Sequence, residues 1–181
     1  TIETEKLLNA LNLNKLEKAN WVEGMIKGNR GYVFVRPPIE GWILISGEGI
    51  PVPDSEDGIN ASQKLLNQLS KRFGEAQAFG NYMHGSLAFW MKSVNGTVER
   101  LYCIARQTTF IEGKPTQVEE PWTLFDSNSP EAETDEYWES TLSPGAETVL
   151  EVAESWSINP MNLEKYKGIG EFGHTGMLRK E

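Results

Sequence analysis

The chain has a single cysteine, Cys103, and only two histidines, His84 and His174, in 181 residues. One thiol closes no internal disulfide, so the fold needs no oxidising compartment. One Cys and two distant His give no zinc-ligand spacing. No apolar run reaches the length of a membrane span. Thr1 to Lys6 show no basic stretch followed by an apolar one, as a secretion leader would require. The expected location is the cytoplasm, and the expected partners include neither membrane nor nucleic acid.

Positive charge is also scarce where it matters. Between Glu112 and Glu154 there are twelve Asp/Glu against one Lys, Lys114, a balance of −11. The residues before and after this segment each sum to +1, so the whole of the net charge of −9 comes from this one segment. A concentrated negative field repels phosphate backbones and anionic lipid and attracts basic partners.

The composition is that of a packed globule, with a hydrophobic fraction of 39% and six Trp. The length suits one ordinary domain over residues 1–181, with an acidic, irregular segment at 112–142 inside it.

Periodicity organises the rest. Leu7, Leu8 and Leu11 give a helical stripe within Glu3 to Ala19, weakened in the middle by Asn12 and Asn14. Tyr32 to Arg36 and Trp42 to Ser46 are β-rich runs joined by a Pro-Pro loop, which predicts an antiparallel return. Asn60 with Gln63 reads as a capping-box helix start, and Leu65, Leu66, Leu69 and Phe73 share one helical face that Gly74 ends. Asn95-Gly96 is a type I′ hairpin signal. A flush two-residue loop sets Val94 opposite Thr97, Lys92 opposite Glu99, Trp90 opposite Leu101 and Ala88 opposite Cys103. Phe89 then meets Tyr102, and Leu87 meets Ile104. Both faces of this hairpin are apolar at its far end, so it belongs in a sheet covered on both sides. Gln77 to Tyr82 predicts a neighbouring strand. Ser143-Pro144 opens a helix with Ala146, Val149, Leu150, Ala153 and Trp156 on its buried stripe. The fold class is α+β: an antiparallel sheet of about five strands with helices packed on it.

Several motifs invite chemistry and have simpler readings. Gly168 to Gly173 matches G-x-G-x-x-G, but it lacks the preceding strand and following helix of a dinucleotide site and reads as a glycine-rich tail. His84 and Cys103 flank the same strand region and could meet across the sheet, but a Cys–His nucleophile needs that geometry plus an activating environment, and a small buried thiol is the ordinary state of such a residue. Asp54, Glu56 and Asp57 do not complete a calcium-loop pattern. The sequons at Asn60 and Asn95 coincide with a helix start and a turn. No catalytic, cofactor or metal residue is assigned.

The acidic segment differs because aromatics are interleaved with its carboxylates. Glu119, Glu120 and Trp122 form one group, and Asp135, Glu136, Tyr137, Trp138 and Glu139 form another. Ring anchors inside a rim of one sign suit a protein-binding surface, where the field steers and the rings hold.

Val33-Phe34-Val35-Arg36-Pro37-Pro38, Gly41-Trp42, the run Leu69-Ser70-Lys71-Arg72-Phe73-Gly74-Glu75-Ala76-Gln77-Ala78-Phe79-Gly80, Trp90, Arg100 and Trp156-Ser157-Ile158-Asn159-Pro160 carry a resemblance. Over Trp21 to Pro160 the chain resembles a family of small, uncharacterised bacterial proteins. In character it is similar to the immunity proteins of bacterial toxin systems. That resemblance implies a non-enzymatic protein that covers the active site of a cognate toxin with an acidic, aromatic-bearing surface. An enzyme of unknown chemistry and an interaction module unrelated to toxins are the alternatives.

Overall fold

The structure, a computed structural model, describes residues 2–82, 86–167 and 169–179. It is α+β, with antiparallel sheets and packed helices, as the sequence predicts. The strands divide between two four-stranded sheets rather than one sheet of about five. Each sheet belongs to its own compact unit. One comprises the residues up to Pro51 together with those from Asn162 onward; the other runs from Val52 to Met161.

In the first unit, α1 (Ile2–Leu11) ends at Asn12, whose φ of 48° breaks the helix. The chain then turns into a strand, β1 (Asn14–Asn20), where the helical segment was expected to run on to Ala19. Asn20 starts α2 (Trp21–Gly28) through a capping box with Glu23. β2 (Val33–Val35) and β3 (Ile45–Ser46) make the expected antiparallel return, with Phe34 opposite Ser46.

The last strand, β8 (Phe172–Met177), lies between β1 and β2. It occupies the stretch expected to be a glycine-rich tail. Gly173 is needed there: a Cβ at this position would fall 2.3 Å from the Val35 carbonyl oxygen. Gly168 of the same motif lies outside the described residues. On α2, Val22, Met25 and Ile26 are exposed.

The second unit is built on β4 (Glu75–Tyr82), β5 (Leu87–Val94), β6 (Thr97–Ala105) and β7 (Thr108–Glu112), paired in that order. α3 (Glu56–Phe73) covers one face. It begins five residues before the expected start, because Ser55 rather than Asn60 caps it, accepting from the Gly58 N–H at 3.2 Å. Its C-terminal end is pinned to the hairpin by buried hydroxyls. Ser70 Oγ lies 2.8 Å from Ser93 Oγ and accepts from the Gly96 N–H at 2.9 Å.

The opposite face is covered by α5 (Ala146–Trp156) and the acidic segment. α5 starts at Ala146 with Gly145 as its cap, so Ser143 does not cap it, and Pro144 is buried ahead of the helix.

Asn95 and Gly96 form the two-residue turn, both with positive φ, and Val94 faces Thr97 as expected. From Lys92 onward the register differs. A bulge at Glu99 advances β6 by one residue, so Lys92 faces Arg100, Trp90 faces Tyr102, Phe89 faces Cys103, Ala88 faces Ile104 and Leu87 faces Ala105. Lys92 pairs instead with Glu75 on β4, at 3.2 Å.

The bulge therefore exchanges the two faces of β6. Arg100, Tyr102 and Ile104 join Trp90 and Ala88, while Leu101 and Cys103 join Phe89 and Met91 towards α3. Trp90 stacks on Tyr102 with ring centroids 4.7 Å apart. Around this pair Phe125, Val149 and Val152 complete a buried cluster.

Candidate functional site

Seen residue by residue, the acidic segment has an inside and an outside. The inside starts at Arg100, which the bulge turns towards Trp90. Its Nε lies 2.9 Å from Glu119 Oε1 and 3.2 Å from Oε2, and its Nη2 lies 2.6 Å from Oε1. Nη1 donates to the carbonyls of Glu112 and Gly113. Glu119 also accepts from the Trp90 indole N–H at 2.9 Å and from the Thr116 N–H and hydroxyl at 2.8 and 2.7 Å.

Burial pushes the Glu119 carboxyl up. The Arg100 guanidinium and the Thr116 donors outweigh that effect, and the net direction is down. Glu119, at 1% exposure, is therefore a fixed internal anion, and the expectation that it lies on a binding surface is corrected. The physical reason is the bulge, which delivers a cation to the interior that a flush hairpin would have sent to the other face.

The rings are graded in the same way. Trp122 is half-buried and meets Trp90 edge-on at 6.4 Å. Tyr137 is half-buried too. Its ring packs on Phe125 at 5.6 Å, and its hydroxyl accepts from the Asp126 N–H at 3.1 Å. Both belong mainly to the core, Tyr137 by way of Phe125. Trp138 does not. It stacks on Phe125 with centroids 3.9 Å apart and still leaves 39% of its surface exposed.

Trp138 sits on α4 (Asp135–Ser140), which Thr134 starts by accepting from the Tyr137 N–H. The same short helix carries Asp135, Glu136 and Glu139, all exposed. Glu131 and Glu133 in the turn before it are exposed as well, and so is Glu120. No Lys, Arg or His occurs from Pro115 to Glu164. The structure thus brings Asp135, Glu136, Trp138 and Glu139 together at the surface, leaves Glu120 exposed on the earlier group, and withdraws Glu119 and most of Trp122 and Tyr137 into the fold.

The groups that could have served catalysis are placed as follows. Cys103 is fully buried on the α3 side, and its thiol donates to the Pro53 carbonyl at 2.9 Å. Burial, with a smaller push from Asp54, raises its pKa to about 12. At neutral pH it is a thiol and not a nucleophilic thiolate. His84, the other half of the suggested pair, lies outside the described residues.

Asp54 accepts from the Ser55 hydroxyl at the entrance to α3. Among the described residues no group of three or more His, Cys, Asp or Glu is placed to hold a metal ion. An open cleft of about 370 Å³ has Asn81, Tyr82, Arg106 and Ser143 among its polar walls. Among its described lining residues there is no acid, histidine or cysteine. No described helix is long and apolar enough to cross a membrane.

The decisive residue missed by sequence reasoning is Arg100, the cation that organises the interior of the acidic segment. Arg100 entered the sequence reading only as one residue of the resemblance, and its one local signal was a charge next to the apolar run Leu101 to Ala105. No family model, no curated protein and no solved structure matches the chain.

Proposed function

We propose that this protein is a non-enzymatic binding protein of the immunity type, whose acidic surface around α4 covers a basic active-site cleft of a cognate bacterial toxin domain. The observation that carries this reading is Trp138. A large ring held on its inner side by Phe125 and left 39% exposed among Asp135, Glu136 and Glu139 has the composition of an interface anchor with a charged rim.

The support beneath it is tied to the sheet. Phe125 is buried and its carbonyl accepts from the Tyr102 hydroxyl at 2.8 Å, so the ring stands on the sheet and not on a free loop. A preorganised surface loses little entropy on binding. The six exposed carboxylates Glu120, Glu131, Glu133, Asp135, Glu136 and Glu139 supply a field that would steer a cationic partner and disfavour an anionic one. A toxin that cleaves nucleic acid carries the cationic cleft this surface suits.

The test is protection. Cells expressing a toxin encoded beside this protein should survive when the protein is co-expressed. Survival should fail with a folded variant carrying Asp135→Lys, Glu136→Lys, Trp138→Ala and Glu139→Lys. Full protection by that variant would reject this surface as the inhibitory one.

A further inference from the structure

We draw no further inference here: the strongest candidate, the exposed apolar stripe of Val22, Met25 and Ile26 on α2, is an unpartnered helix face, and nothing in the structure shows what covers it.

Discussion

Arg100 and Glu119 form a multiply bonded ion pair in the interior, with 2% and none of their side-chain surface exposed. Removing one partner strands the other charge away from water. Glu119→Ala or Arg100→Ala should therefore cost about 3–5 kcal/mol, whereas replacing both by apolar residues of similar volume should cost much less than the sum. Denaturant midpoints of the two single variants and the double variant check this. Single-variant losses near zero would mean the pair is not closed as described.

The same pair predicts an acid limit. The Glu119 carboxyl is held below its ordinary value in the folded state, so the unfolded chain takes up the proton first as pH falls. Its contribution is complete above the ordinary carboxylate range and is lost as pH drops through the depressed folded value. Wild-type stability should decline on the acid side, and Glu119→Gln should flatten part of that decline. An identical acid slope in the variant would contradict the assignment.

The bulge rests on a glycine as well as on the turn. Gly113 has a φ of +73°, and a Cβ there would lie 1.9 Å from the Glu99 carbonyl oxygen, the bulged residue of β6. Gly113→Ala should destabilise by more than about 1 kcal/mol, beyond the ordinary penalty for a positive φ, because backbone must move. Thermal or chemical unfolding measures it. Cross-strand NMR contacts between Trp90 and Tyr102, rather than Trp90 and Leu101, check the register directly.

Much of the second unit was legible because its signals are local. The Asn95-Gly96 turn, the stripe ending at Phe73 and Gly74, and the helix bearing Val149 and Ala153 each declare themselves within a few residues. The bulge at Glu99 did not, because the groups that match it, Gly113 and Glu119, lie fourteen and more residues away. One inserted residue was enough to exchange the faces of β6 and to move Arg100 inside. β8 was obscured for a different reason: Gly173 and Gly176 mimic a loose tail locally, while their necessity comes from β1 and β2 at the other end of the chain. At the candidate site the sequence placed the acids and rings in one segment but did not separate Glu119 from Glu120, which are adjacent and point to opposite environments.

Cys103 should be chemically silent in the native protein. With the pKa raised to about 12 and the thiol fully buried, modification by a thiol reagent at pH 8 should be slow in buffer and immediate in denaturant. The raised value also makes its contribution to stability present below the ordinary thiol range and lost as pH rises towards the folded value. Rapid labelling of the folded protein would place Cys103 at the surface.

The two tryptophans of the acidic segment should separate folding from binding. Trp122→Ala removes a ring packed against Trp90 and should lower stability by a few kcal/mol, about 2–4. Trp138→Ala removes a half-exposed ring and should lower stability less, while speeding dissociation of a bound toxin domain. Unfolding curves and dissociation rates for the pair distinguish the roles. A Trp138→Ala variant with an unchanged dissociation rate would remove the ring from the interface.

The central claim, that the exposed carboxylates around Trp138 steer a basic partner, is tested most directly by the association rate of the cognate toxin domain as a function of salt. Exposed charges are screened beyond about 10 Å at 0.1 M ionic strength, so the rate should fall steeply as salt rises. Reversing Glu120, Asp135, Glu136 and Glu139 to Lys should lower it further at low salt and abolish most of the salt dependence. An association rate that is the same at low and high salt and indifferent to the four reversals would contradict the account.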